Sequence, residues 1–185
     1  KKFITKYVSL SEVELDDVAS KFIQKAVKKN DYLLKQGNTC KDLVFVQKGC
    51  LRLYYIKDDI EVSVWFAFPQ SSAIEIYSFI SENPAIEDSE VLYLPKTQLN
   101  RLYQSQPKMQ EMMRNFWEDV ILNLVNRFTA LQTDSAEKRY LDLLAQPDYF
   151  ATIPQKYLAS FIGVTPTSLS RIRKQITTLR QALDH

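Results

Sequence analysis

The spacing of apolar residues divides the chain into helical and extended stretches. Residues 10–29 carry apolar side chains at helical intervals after a capping Ser9 or Ser11, which predicts leading helices. From Tyr32 the period becomes two, and this predicts an antiparallel sheet with strands at residues 32–35, 43–47, 51–56, 60–68 and 90–94. Residues 73–81 fit a short helix or a loop, and residues 96–103 fit a short helix.

The chain has three glycines, and each falls where the backbone is expected to turn. Gly37 and Gly49 lie in polar segments between predicted strands, and Gly163 lies between two predicted helices. Because glycine adopts a positive φ without steric penalty, we expect tight turns at these positions.

Residues 107–131 predict a helix of about seven turns with apolar residues on more than one face. A stripe with heptad spacing, interrupted only by Arg127, consists of Met113, Trp117, Val120, Leu124 and Leu131. Other apolar residues lie to its sides, namely Met109, Met112, Phe116, Ile121, Val125 and Phe128. One interpretation is a helix buried in a single large core. We favour a helix that packs one surface on its own sheet and the heptad stripe against a second copy.

Residues 153–176 show the pattern of two helices around a tight turn. The first helix has one apolar face, formed by Tyr157, Leu158, Phe161 and Ile162, and it ends where Gly163 can take a left-handed conformation. Thr165 then offers an N-cap oxygen, and Pro166 suits the first position of the second helix.

The second of these helices has an apolar and a polar face. Leu169, Ile172 and Ile176 are expected to face inward. The outward face carries side chains that can donate hydrogen bonds to base edges or phosphates, namely Thr167, Ser168, Arg171, Lys174 and Gln175. This predicts a helix-turn-helix with a recognition helix, the alternative being an ordinary helical hairpin with a solvated basic face.

Charge is distributed unevenly along the chain. Residues 149–185 contain five basic side chains and one acidic side chain, a net charge of +4. The other 148 residues carry 19 basic and 21 acidic side chains, a net charge of −2. The basic end is therefore the one with the predicted recognition helix, as binding to phosphates requires.

Composition is that of an ordinary globular protein. With 185 residues and 45% hydrophobic residues, the chain can bury a core in one large or two small domains. We expect a cytoplasmic protein without a membrane span, because no long apolar run or signal peptide is present. Cys40 and Cys50 could form a disulfide or a redox pair, or be small buried hydrophobes; without a CxxC motif we favour the last.

The order of these segments resembles the Crp/Fnr family of bacterial transcription regulators. The resemblance covers nearly the whole chain and rests on LLKQGN…LVFVQKGCLRLYY, EDSEVLYLPK and FIGVTPTSLSRIRKQI. It implies an α+β fold, with an N-terminal antiparallel β-roll of the jelly-roll or double-stranded β-helix type and a C-terminal winged-helix-type helix-turn-helix. The implied domains are a cyclic-nucleotide-binding-like sensor roll at 1–106, a dimerisation helix at 107–134 and a DNA-binding domain at 135–185.

In this family the implied function is a homodimer that binds a two-fold symmetric operator on double-stranded DNA. We expect base reading by Thr167, Ser168 and Arg171, the last at the position of a guanine-reading arginine in well-studied members. Phosphate contacts are expected from Lys156, Thr165, Ser170, Arg173 and Lys174. At the start of this helix the catabolite activator protein has an arginine and a glutamate, whereas this chain has Pro166 and Thr167. The base preference of that regulator therefore cannot be carried over to this chain.

The sensor roll departs from relatives that bind cyclic nucleotides. The family holds the phosphate with a Gly-Glu element and an Arg-Ser or Arg-Thr pair, whereas residues 58–95 contain no Lys, Arg, His or Gly. The connection SENPAIEDSEV is also short, so either the roll is trimmed there or residues are missing from the numbering. We expect no response to cyclic AMP or cyclic GMP.

Other ligands of the family also lack their residues here. Two cysteines and no internal histidine exclude a four-cysteine iron–sulfur cluster and a histidine-ligated haem, so we expect no cofactor and no metal. What remains is an aromatic pocket for an unknown small-molecule effector, lined by Tyr54, Trp65, Phe66 and Phe68, or no ligand. RNA polymerase is a further candidate partner.

Two other functions compete with DNA binding as interpretations of the sequence. A ligand-sensing roll could carry a helix-turn-helix that packs against a partner protein, although the concentration of basic residues on that helix disfavours this. An enzyme is disfavoured because the only histidine is His185, and no phosphate-binding Gly-rich loop or metal-ligand cluster is present.

Overall fold

The structure is a computed structural model and describes residues 1–33, 42–72 and 84–183. Gly37, Cys40, His185 and the predicted helix or loop at 73–81 lie outside the described residues. The elements are α1 (Lys2–Tyr7), α2 (Glu12–Ser20), β1 (Ile23–Val27), β2 (Asp42–Lys48), β3 (Leu51–Lys57), β4 (Ile60–Ala67), β5 (Ser89–Pro95), α3 (Lys96–Ser105), α4 (Lys108–Thr133), α5 (Ala136–Leu144), α6 (Pro147–Thr152), α7 (Gln155–Phe161) and α8 (Pro166–Leu183). None of the helices in this part of the chain is long and apolar enough to cross a membrane.

The leading helices are shorter than predicted. Ser11 caps α2 in a reciprocal capping box, because its hydroxyl accepts from the Glu14 N–H while the Glu14 carboxylate accepts from the Ser11 N–H at 2.7 Å. The helical prediction for residues 10–29 is wrong beyond Ser20, since Ile23–Val27 forms β1 and pairs antiparallel with β5. Pairing with a distant strand outweighs the local pattern here.

The strands form antiparallel pairs, as predicted for residues 43–47, 51–56, 60–68 and 90–94. One sheet has the order β1–β5–β2, and β3 pairs with β4 as a hairpin. The hairpin turns at Asp58 and Asp59, whose φ angles of +50° and +62° match a type I′ turn. Of the predicted strand at 32–35, Tyr32 makes a single bridge to Pro84, and residues 34 and 35 lie outside the described residues.

The C-terminal helices pack directly on the sheet region. A single apolar cluster contains Cys50 and Phe66 from the sheet region together with residues of α5, α7 and α8, such as Phe161. The Phe66 ring lies 5.2 Å from the Phe161 ring, and the Phe68 ring lies 4.9 Å from the Tyr149 ring. The α7–α8 pair therefore has a defined position on the β3–β4 hairpin.

The long helix α4 has two apolar surfaces, but the stripe that was predicted to face a second copy is largely not the exposed one. Met113 is only 4% exposed and lies in the chain's own core, and Trp117 and Val120 pack against the same cluster. Leu124 is half-buried, and Leu131 is exposed beside the α7–α8 turn. The predicted heptad stripe is thus largely directed at the chain itself, because α1 and α3 pack against α4.

A different stripe of α4 is exposed. Ile121, Val125 and Phe128 follow the 4–3 spacing of a heptad, and with Leu122 they are 53% to 62% exposed. At 100° per residue, this stripe lies roughly one residue step around the helix from the predicted one. The first half of α4 is therefore buried in the chain's own core, and its second half leaves an apolar face uncovered. Whether a second copy covers that face stays a prediction.

The winged form predicted for the C-terminal domain is not observed. Residues 135–183 form α5, α6, α7 and α8 and contain no strand. The short helix α6, which begins at Pro147, connects α5 to α7 in place of a β-hairpin. The predicted wing is therefore absent from the described residues.

Candidate nucleic-acid interface

The turn between α7 and α8 has the predicted geometry. Gly163 has a φ of +74°, and the Val164 N–H donates to the carbonyl of Ala159 at 2.9 Å, which closes the end of α7. The Thr165 hydroxyl accepts from the Ser168 N–H at 3.1 Å and caps α8, which begins at Pro166. The first turn of α8 is therefore held in place by its own sequence.

The two faces of α8 separate as the sequence predicts. Leu169 and Ile172 are buried in the cluster shared with the sheet, and Ile176 packs at its edge. The outward face is exposed at Thr167, Ser170, Arg171, Arg173, Lys174 and Gln175, and Ser168 is half-buried. Side chains for hydrogen bonding thus cover the free side of one continuous 18-residue helix.

This face carries positive charge that no ion pair within the described residues neutralises. Arg171, Arg173, Lys174 and Lys156 have no carboxylate within ion-pair distance among the described residues. Lys156 is exposed at the start of α7, and its ammonium group lies 4.6 Å from the Tyr157 ring. The start of α7 and the middle of α8 therefore present cations to solvent, an arrangement suited to an extended anion.

Gln155 has a position that the sequence analysis missed. Its amide nitrogen donates to the Ser170 hydroxyl at 2.7 Å, and its amide oxygen accepts from Arg173 Nη1 at 3.2 Å. One side chain of α7 thus orients two expected phosphate-contacting residues of α8. No local pattern could reveal this, because the contact joins residues 15 and 18 positions apart.

Arg52 of β3 lies at the junction of the hairpin and α7 and was also missed. Its side chain is 2% exposed, and it donates to the Glu61 carboxylate at 2.6 Å and to the Ser63 hydroxyl at 2.9 Å. The guanidinium carbon lies 4.2 Å from the ring of Tyr54 and 3.7 Å from the ring of Tyr157. A buried cation therefore stacks between one ring of the sheet and one ring of α7.

The four residues predicted to line one aromatic pocket do not do so. Trp65, Phe66 and Phe68 line a cleft of about 890 Å³ between the sheet, α4 and the C-terminal helices. Tyr54 is not among the lining residues, because a bulge in the β3–β4 pair places it opposite Ser63, over the Arg52 guanidinium. The cleft also receives Arg127 and Tyr149, so it lies at the junction with the C-terminal helices.

Reactive groups are few in the described residues. Cys50 is a fully buried free thiol, in agreement with the small-hydrophobe interpretation, and burial and then the Glu87 charge raise its pKa to about 12. A thiol with this pKa is a poor nucleophile. Across the described ranges, no group of three or more His, Cys, Asp or Glu side chains could hold a metal ion.

Comparisons with known proteins identify the architecture. Residues 24–106 match the cyclic nucleotide-binding domain family. A search of curated proteins finds no match. Among solved structures, FixK2 from Bradyrhizobium japonicum is 15% identical with a TM-score of 0.75, and the match covers 85% of each chain.

Two further structures agree with this. A CooA mutant from Carboxydothermus hydrogenoformans is 18% identical with a TM-score of 0.70, and the match covers 88% of this chain and 79% of that one. A Crp/Fnr family transcriptional regulator from Eubacterium rectale is 15% identical with a TM-score of 0.69, and the match covers 91% of this chain and 84% of that one. The chain therefore carries a cyclic nucleotide-binding-type domain at residues 24–106 and has the fold of the Crp/Fnr regulators.

Proposed function

We propose that this protein is a sequence-specific DNA-binding transcription regulator of the Crp/Fnr type that acts as a homodimer on a two-fold symmetric operator. The observation that carries this proposal is the exposed face of α8, which presents Thr167, Arg171 and Lys174 without carboxylate partners in the described chain. A helix of this kind fits the major groove, where arginine and threonine can distinguish base edges.

The proposed roles follow from position on the two helices. Thr167, Ser168 and Arg171 lie in the first half of α8, the part that reads bases in a helix-turn-helix. Lys156, Thr165, Ser170, Arg173 and Lys174 lie at its flanks or at the starts of the helices, where phosphates pass. Gln155 joins the phosphate set through its hydrogen bonds to Ser170 and Arg173.

Dimerisation is proposed through α4. The exposed stripe of Ile121, Leu122, Val125 and Phe128 is a row of large apolar side chains on a 26-residue helix. A two-fold pairing of this stripe would remove it from water and bring two copies of α8 to one side of the dimer. Two recognition helices in a symmetric dimer require an operator with inverted half-sites.

The sensor part is proposed to act without cyclic nucleotides and without catalysis. An anion near residues 58–95 would meet acidic side chains and no cation from that segment. The cleft lined by Trp65, Phe66 and Phe68 is the best candidate for an uncharged or aromatic effector. Because it borders both α4 and the C-terminal helices, an occupant could change their relative positions.

Selection of DNA fragments from a pool of random duplexes tests the proposed function. The purified protein should enrich an inverted repeat with half-site centres about 10 base pairs, or a multiple of this, apart. The double variant Arg171→Ala with Lys174→Ala is the matched control and should lose the enrichment. Failure of the wild-type protein to enrich any sequence would contradict the proposal.

A further inference from the structure

Arg127 of α4 connects the long helix to the turn between α7 and α8. Its Nη2 donates to the backbone carbonyl of Phe161 at 2.7 Å, and its guanidinium carbon lies 3.6 Å from the Phe161 ring. Phe161 is the last residue of α7, so this carbonyl belongs to the set that has no partner within the helix. A cation at this end also interacts favourably with the helix dipole.

A second arginine contacts the same turn. Arg139 of α5 donates from Nε to the Ile162 carbonyl at 2.9 Å, and its Nη1 donates to the Asp134 carbonyl. Leu131 closes the contact, since a Cβ placed on Gly163 would lie 3.3 Å from Leu131 Cδ2. The end of α4, the start of α5 and the α7–α8 turn are therefore joined at one point.

Arg127 forms no ion pair with a carboxylate in the described part of the chain. The pKa of Arg127 is lowered to about 10, and the largest cause is desolvation of the guanidinium by burial. Placing an unpaired cation in this environment is unfavourable unless its hydrogen bonds are directed to a specific acceptor. The acceptor here is the end of α7, which precedes the expected recognition helix by one turn.

We propose that Arg127 is a positioning residue that fixes the α7–α8 pair to the long helix and thereby sets the half-site spacing of the operator. The inference rests on the proposed dimeric DNA-binding function. Arg127 lies next to Phe128 of the exposed stripe, so the same turn of α4 would contact both the partner copy and the recognition unit. The angle between the two recognition helices then depends on this contact.

Spacing is a sensitive readout of such a role. Each added base pair moves one half-site by about 3.4 Å and rotates it by about 36°. A rigid dimer tolerates this poorly, whereas a loosely attached α7–α8 pair can adjust to it. Loss of an ordinary structural contact would instead weaken binding to all spacings alike.

The experiment measures affinity for a series of operators whose spacer is shortened or lengthened by one and two base pairs. The operator is the one obtained by selection from random duplexes. For the wild type, a change of one base pair should weaken binding about tenfold. In Arg127→Met, the same change of one base pair should weaken binding by about threefold or less. Affinity for the operator with the preferred spacer should be moderately lower than that of the wild type. Arg127→Lys keeps the charge but not the planar fork and should lie between the two.

Arg101→Met is the matched control, because Arg101 is an exposed arginine of α3 outside the binding surface. It should keep the wild-type spacer profile. An unchanged profile in Arg127→Met and Arg127→Lys would overturn the inference while leaving the proposed function intact. If Arg127→Met does not fold, as judged by circular dichroism, the Arg127→Lys profile decides. A wild-type protein that binds no duplex would instead contradict the proposed function.

Discussion

The hydroxyl of Ser160 accepts a 2.9 Å hydrogen bond from the backbone N–H of Ser63 and so attaches α7 to β4. The same hydroxyl donates to the Glu61 carbonyl at 3.1 Å, which satisfies two backbone groups of β4 with one side chain of the C-terminal helices. Ser63 is buried, so its N–H has no ready replacement partner in water. The position of the α7–α8 pair on the sheet thus depends on a specific polar contact as well as on apolar packing.

We expect Ser160→Ala to lower the free energy of unfolding by about 1 to 2 kcal/mol, because two backbone groups of β4 lose their partner. Urea denaturation measures this change. Ser20→Ala is the control, since the Ser20 hydroxyl donates only to Asp17 within its own exposed helix end. Equal stability of Ser160→Ala and the wild type would show that the contact contributes nothing to docking.

The double variant Val125→Glu with Phe128→Glu should be monomeric. It would place four carboxylates in a two-fold interface, where their burial and mutual repulsion are unfavourable. Sedimentation velocity should show the smaller species, and affinity for the selected operator should fall. Asn123→Glu adds a charge to an exposed residue on the far side of the helix from Val125 and Phe128 and should remain dimeric. A wild-type protein that is monomeric at micromolar concentration would refute this prediction.

Arg171 and Lys174 should contribute differently to DNA binding. Arg171→Ala should weaken binding to the selected operator by about 1 to 3 kcal/mol and have little effect on random DNA, because the guanidinium can read a base pair bidentately. Lys174→Ala should weaken both alike and make the salt dependence shallower by about one ion. Titrations of both DNAs at several salt concentrations measure this. An equal loss on both DNAs in Arg171→Ala would exclude a base-reading role.

Cyclic AMP and cyclic GMP should not bind. Between Lys57 and Lys96 the sequence offers a phosphate no Lys, Arg, His or Gly, while Asp58, Asp59, Asp88 and several glutamates are acidic. Arg52, the buried arginine of β3, already donates to Glu61 and Ser63. Calorimetric titration of the wild-type protein with each nucleotide measures this. A micromolar dissociation constant for either one would contradict the prediction.

Local sequence was sufficient to predict the elements whose conformation depends mainly on neighbouring residues. The two-residue period predicted β2 to β5, and Gly163, Thr165 and Pro166 together predicted the turn and the start of α8. These features depend on neighbours in sequence, namely a positive φ, an N-cap hydroxyl and a helix start without a free N–H. The outward face of α8 follows from its 3.6-residue period, so the candidate recognition residues could be named in advance.

Only the tertiary structure decided which surface each element covers. Residues 23–27 became a strand because β5 was available to pair with them, and Met113 turned inward because α1 and α3 pack against α4. The contacts of Arg52, Arg127 and Gln155 join residues that are distant in the chain or that no local pattern relates. The sequence pattern shows that a helix has two apolar faces, but it does not show which face is buried. That depends on which neighbouring elements cover more apolar surface, and these neighbours are defined only in the folded chain.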